Sequence, residues 1–95
     1  MAFALPAAAV DPRLAEESFQ RALQLAPQDA ATMHNFAWFY CQQLRYAEAD
    51  AMFDAALAEP SYRDSTRTLL AKGACLARAG RWAEAERALS RSYEL

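Results

Sequence analysis

Ninety-five residues suffice for one small domain, and a chain of this size buries only about 60–65% of its unfolded surface. Ten basic against twelve acidic residues give a formal net charge of −2, which leaves no basic surface for nucleic acid and no polybasic patch for an anionic membrane. Hydrophobic residues are 55% of the chain, too many for a disordered one, and with Ile absent and Val10 the only Val the composition excludes a β-sheet protein.

In chain order, Met1–Val10 is apolar but has no basic n-region and is broken by Pro6. It reads as an N-terminal tail or remnant, residues 1–10, rather than a signal peptide. No apolar run approaches a membrane span, so the chain reads as soluble. Five helices follow. The first covers about Asp11–Ala26, with Asp11 as N-cap and Pro12 in the first helical position. The others are predicted at Asp29–Gln43, Tyr46–Glu59, Asp64–Ala79 and Arg81–Tyr93. Pro27 and Pro60 stop the helices before them, since proline has no amide donor and clashes with the preceding turn. Gly80 closes the fourth helix in a left-handed conformation, and Leu44 occupies the equivalent turn at a conformational cost.

The helices repeat. Tyr46-Ala47-Glu48-Ala49 returns as Trp82-Ala83-Glu84-Ala85, and Ala15, Phe19 and Ala22 return 34 residues later as Ala49, Phe53 and Ala56. A period near 34 with this pattern is the tetratricopeptide signature. The expected architecture is all-α, with helix-turn-helix repeats stacked as a short right-handed solenoid of about two and a half repeats. Residues 11–26 form a half repeat, 29–60 one repeat and 64–95 another, within a single domain 11–95. Ala49 and Ala85 stand where paired helices cross closely, and Phe53 and Leu89 fill the gap to the next unit. The linker Pro60–Asp64 is two residues longer than the period allows and reads as a tolerated surface insertion.

No catalytic constellation is legible. His34 is the single histidine and has no orienting third group, and one His with two Cys is too small a set for zinc. Neither a metal, a cofactor nor a small-molecule substrate is expected. Cys41 and Cys75 read as small buried thiols; a disulfide requires both to lie on the closest seam between neighbouring helices. The chemistry expected here is binding. In tetratricopeptide arrays the first helix of each unit lines the concave face. The repeat pattern then turns Phe36, Ala37 and Tyr40 inward and sets His34, Trp38, Cys41 and Gln42 on the groove, with Asn35 near its edge. Arg67, Leu70, Ala74 and Arg78 take comparable places in the second unit. Trp38 is a candidate anchor for a protein partner, its alternative role being to pack against the first helix of a preceding repeat or a neighbour in a longer array. With so few repeats, the ends should expose apolar surface and favour self-association.

The run His34-Asn35-Phe36-Ala37-Trp38-Phe39-Tyr40-Cys41-Gln42, the linker Pro60-Ser61-Tyr62 and the segment Leu69-Leu70-Ala71-Lys72-Gly73-Ala74-Cys75-Leu76 go beyond the general repeat. Together they resemble the type IV pilus biogenesis and stability proteins, the tetratricopeptide pilotin lipoproteins of Gram-negative bacteria, over about Ala15–Leu95. Asn35, Trp38, Phe39 and Cys41 match the family's first motif, Pro60 and Tyr62 its linker, and Gly73, Cys75 and Leu76 its second helix. Ala37 replaces the family's usual Gly, and the lipidated cysteine and roughly six repeats of the family have no counterpart, so the chain reads as a fragment or a shortened relative. The resemblance implies no enzyme but a scaffold that helps the outer-membrane secretin assemble, on the periplasmic side of that membrane. Two alternatives stay open. One is a general or co-chaperone-type adaptor that grips a C-terminal carboxylate, although Trp38 stands where such a clamp carries Asn. The other is the repeat segment of a larger enzyme.

Overall fold

The computed structural model describes residues 11–94. They form five α-helices and no strand: α1 Pro12–Leu25, α2 Ala30–Gln42, α3 Tyr46–Ala58, α4 Ser65–Arg78 and α5 Trp82–Glu94. The sequence-based boundaries agree to within about one residue at each end. The tail assigned to residues 1–10 lies outside the described residues. Among the described residues no helix is long and apolar enough to cross a membrane.

Local chemistry sets the helix ends. Asp11 accepts a hydrogen bond from the Arg13 amide at 2.9 Å, with Pro12 in the first turn where its missing N–H costs nothing. Asp29 accepts from the Thr32 amide and, through its other oxygen, from the Thr32 hydroxyl at 2.8 Å. Those bonds favour the carboxylate and hold Asp29 below its usual pKa. α1 and α3 end two residues before Pro27 and Pro60, as the proline argument requires.

Helices α2 and α3 pack as one hairpin and α4 and α5 as a second, while α3 meets α4, α1 meets α2, and α2 also touches α4. The two hairpin turns are copies. Arg45 N–H donates to the Tyr40 carbonyl and Leu44 N–H to the Cys41 carbonyl. Thirty-six residues later Arg81 N–H donates to Leu76 and Gly80 N–H to Ala77. Leu44 (φ 61°) and Gly80 (φ 79°) both sit in the left-handed region. Each turn also launches an ion clamp. Arg45 binds Glu48 in its own helix and reaches back to Glu16 of α1; Arg81 binds Glu84 and reaches back to Asp50 of α3.

The main core lies between α2, α3 and α4, where Phe36, Ala37, Tyr40, Cys41, Ala49, Phe53 and Cys75 are buried together. Phe53 is the largest fully enclosed side chain. α1 buries no residue completely and is held by Phe19, whose ring stacks on Phe36 at 5.0 Å and tilts against Phe39 at 5.6 Å. Gly73 supplies the tightest crossing: a Cβ there would stand 2.7 Å from Leu89 of α5.

The Pro60–Asp64 linker lies at the surface, with Pro60, Ser61, Arg63 and Asp64 exposed, and one of its residues makes a contact. Tyr62 packs on the Ala30–Met33–Ala56 cluster, and its hydroxyl lies 2.7 Å from Thr68 Oγ1. The end helices of the described fold expose large apolar side chains, Leu14 and Leu25 on α1 and Trp82 and Tyr93 on α5. The outer face of α5 carries exposed Glu86, Arg87, Arg91 and Glu94, and exposed Leu14 and Leu25 of α1 are separated along their stripe by Ser18 and Arg21. Polar and charged residues thus share the outward faces of these helices with the apolar side chains.

Candidate functional site

Two cross-links set the direction of the helices that build the site. His34 Nδ1 of α2 lies 2.8 Å from Thr68 Oγ1 of α4. Seven residues further along each helix, Cys41 and Cys75 form a disulfide with a Cα–Cα distance of 6.0 Å. Because both links advance together, α2 and α4 run side by side in the same direction. This corrects the reading of the cysteines as separate thiols, and of Cys41 as a groove residue. Both are fully buried beneath the α2/α4 surface, on the seam where the two helices approach most closely. A bridge across this many residues restricts the unfolded chain by about 3–4 kcal/mol.

Above the seam each helix presents one stripe at helical spacing. On α2 it is Ala31, Asn35, Trp38 and Gln42; on α4 it is Arg67, Ala71, Ala74 and Arg78, with Leu70 beside it. Trp38 is half-buried against the core, whereas Asn35, Gln42, Arg67, Leu70 and Arg78 are exposed. Between the stripes lies an open cleft of 480 Å³ bounded by Asn35, Trp38, Gln42 and Arg67. Its floor and far wall are Phe19, Phe39, Ala71 and the edge of the His34 ring. Leu70 and Arg78 do not line it. Arg78 continues the α4 stripe one turn past Ala74.

His34 differs from its expected place on an open groove wall. It is 6% exposed and tied inward. Thr68 joins it to Tyr62, so that one hydroxyl serves both the helix pair and the linker; carrying a single proton, it donates to at most one of the two neighbours. Burial pushes the His34 imidazole below its usual pKa, the nearby Arg67 adds to the shift, and Asp64 opposes it. The ring therefore sits neutral near pH 7, and its chemistry is positional.

Phe19 and Phe39 are the cleft residues that the sequence reading did not place there. Phe19 matches Phe53 in the repeat but is less enclosed. No described helix covers α1 on its other side, so Phe19 remains half-buried and shows an edge to the cleft. Phe39 directly follows Trp38 and points toward α1, a placement that depends on α1 docking.

Charge is segregated by element. Every helical carboxylate lies on α1, α3 or α5; α2 carries no Asp, Glu, Lys or Arg, and α4 carries only Arg67, Lys72 and Arg78. Lys72 is neutralised by Asp54 of α3 at 2.5 Å. Arg67 and Arg78 form no ion pair among the described residues. Also among the described residues, no group of three His, Cys, Asp or Glu side chains is disposed to hold a metal ion.

Comparison with known proteins finds no matching family model, curated protein or solved structure.

Proposed function

We propose that this chain is a tetratricopeptide-type interaction scaffold that docks a protein partner on its α2/α4 face, and that it serves type IV pilus biogenesis by assisting assembly of the outer-membrane secretin. The observation that carries the scaffold reading is the copied turn and clamp. Leu44–Arg45–Glu48 with Glu16, and Gly80–Arg81–Glu84 with Asp50, repeat one structural unit at the period seen in the sequence. In this reading α2–α3 and α4–α5 are two complete units of a right-handed stack, and α1 is the second half of a preceding one. A repeat whose like-placed helices run side by side presents a preformed surface, and binding there needs little reorganisation.

The pilus assignment rests on the resemblance of the Asn35–Trp38–Phe39–Cys41 run, the Pro60–Tyr62 linker and the Gly73–Cys75–Leu76 helix. Two features support it. The motif residues Asn35, Trp38 and Phe39 meet at one cleft. The motif cysteines pair with each other, which suits an oxidising compartment such as the periplasm, since thiols stay reduced in most cytosols. In this reading the protein is not an enzyme, and the cleft holds a partner side chain rather than a substrate.

The test is made in cells. The gene is deleted and the detergent-resistant secretin multimer is assayed, with complementation by the full gene and by a Trp38→Ala copy whose helicity is checked by circular dichroism. Loss of the multimer, restored by the full gene and not by a folded Trp38→Ala copy, is the expected result. A normal multimer and normal pili in the deletion strain would leave a general adaptor with a different partner.

A further inference from the structure

The charge segregation has a consequence for the partner's chemistry. A surface that is apolar at its centre and flanked by unpaired cations, on a chain with an overall charge of −2, is complementary to a particular kind of segment. Building on the docking reading above, we infer that the α2/α4 face binds an internal stretch of a partner chain that carries one large apolar side chain between two acidic ones. The apolar side chain enters the cleft against Trp38 and Phe39, and the carboxylates pair with Arg67 and Arg78.

Three observations converge on this. First, neither α2 nor α4 contains a carboxylate within its span; Asp64, the residue before α4, is close enough to influence His34 but forms no ion pair with Arg67. The remaining cation of α4, Lys72, faces away and is held by Asp54. Second, the other arginines that meet neighbouring helices, Arg45 and Arg81, are each saturated by two carboxylates of this chain. The clamp positions thus consume their charge internally while Arg67 and Arg78 keep theirs. Third, the two arginines bracket the apolar part of the face on a single stripe. Eleven residues of helix separate them, about 16 Å along the axis. A partner in extended conformation, whose alternate side chains share a face, comes nearest to that distance with carboxylates four or six residues apart, about 13 or 20 Å, within reach of long arginine side chains; a helical partner spans it with carboxylates eleven residues apart. Asn35 and Gln42 lie along the opposite wall and offer amide donors and acceptors to the partner's backbone.

The spacing distinguishes this site from one that grips a chain end. A terminal carboxylate supplies one anionic centre, whereas two arginines about 16 Å apart call for two separate side chains.

Selection from a random twelve-residue peptide library on phage tests the inference. The peptides are fused to the coat protein at their C-terminal ends, so none has a free terminal carboxylate, and the target is the oxidised full chain. The expected binders combine an aromatic or large aliphatic residue with two Asp or Glu at the four-, six- or eleven-residue spacing. Synthetic amidated versions should lose roughly tenfold in affinity on Arg67→Gln/Arg78→Gln, as two exposed ion pairs imply, and a similar factor between about 0.05 M and about 0.5 M salt. The control Arg87→Gln/Arg91→Gln on α5 should bind them normally. Trp38-dependent binders that are neutral or basic, or acidic binders indifferent to the double substitution, would overturn the inference while leaving the docking face in place. A selection that yields no binder sensitive to Trp38→Ala would overturn both.

Discussion

The two helix pairs share a turn and differ in what fills them. Both turns place a residue in the left-handed region and follow it with an arginine that ties two helices together. In α2–α3 that arginine is enclosed by aromatic and carboxylate groups. Arg45 lies 4.6 Å over the Tyr40 ring, and Glu16 accepts from it with both oxygens, at 2.6 and 3.1 Å. Glu16 also accepts from the Tyr40 hydroxyl at 3.3 Å. The hydrogen bond from Arg45 is the main influence holding the Glu16 carboxyl below its usual pKa. In α4–α5 the place of Tyr40 is taken by Leu76, which has no hydroxyl, and the place of Glu16 by the shorter Asp50. Asp50 meets Arg81 with one oxygen and buries the other without a partner. The packing differs in the same sense. Aromatic rings fill the first pair, and a glycine lets α5 approach in the second. What repeats is thus the backbone turn and the charge pair it launches, while side-chain volume is free to vary. The first pair spends its aromatic residues both on the core and on a cleft; the second keeps a smooth face with two free arginines.

The sharpest way to break the comparison is to truncate matching core residues. Phe53 is wholly enclosed, and Phe53→Ala should cost about 3–5 kcal/mol. Leu89, its counterpart 36 residues on, is half-buried at the end of the described stack, so Leu89→Ala should cost about 1–2 kcal/mol, less than a fully enclosed leucine would. Denaturant titration of both variants measures the difference; equal losses would mean that the two units are equally enclosed.

Next in size is the disulfide, which joins the two pairs. Cys41→Ala/Cys75→Ala, or reduction of the native chain, should lower stability by about 3–4 kcal/mol. The thermal midpoint with and without reductant reads this directly. A midpoint indifferent to reductant in the native chain, with free thiols found on alkylation, would show that the bridge does not form.

This part of the molecule also marks the limit of what the sequence displayed. The helices, the Asp11 cap and the two left-handed turns were legible because each depends on neighbours in the chain: Asp11 before Pro12, Pro27 and Pro60 after the helices they stop, Gly80 after Ala79. The stripe on the α2 side of the candidate face was legible from helical spacing, which sets Asn35, Trp38 and Gln42 in line. The bridge was not, because pairing Cys41 with Cys75 depends on the lateral register of α2 against α4, and that register is set by side chains far away in sequence. The same holds for His34. The repeat pattern set it on an open wall, but its partner, Thr68, comes from the other helix pair. Tyr62 likewise read as part of a surface linker, and its contact with Thr68 is made only by the fold.

A subtler comparison exchanges residues at one matched position. Ala37 is completely buried in α2, and Gly73 holds the same place in α4. Ala37→Gly should lose about 1 kcal/mol through helix propensity. Gly73→Ala gains that propensity but drives a methyl into Leu89, at an overpacking cost of about 1–3 kcal/mol, for a net loss near 1 kcal/mol. Each residue is then the better one in its own pair. If Gly73→Ala stabilises the chain, Leu89 moves aside easily and the close crossing is not what defines the second pair.

The smallest effect isolates the turn itself. Leu44 is 65% exposed, so its side chain contributes little burial, and its φ of 61° carries the steric penalty of an L-residue in the left-handed region. Leu44→Gly relieves that strain but loosens the unfolded chain, and should gain at most about 1 kcal/mol. Gly80→Leu imposes the same strain where none exists, since nothing crowds a Cβ there and only the φ of 79° opposes it, and should lose about 1 kcal/mol. Opposite signs of similar size would show that the two turns are one backbone motif carried by different residues. A gain at Leu44 without a matching loss at Gly80 would mean that the second turn relaxes to another conformation, and that its clamp, already missing one hydrogen bond at Asp50, holds α5 less firmly than Arg45 holds α3.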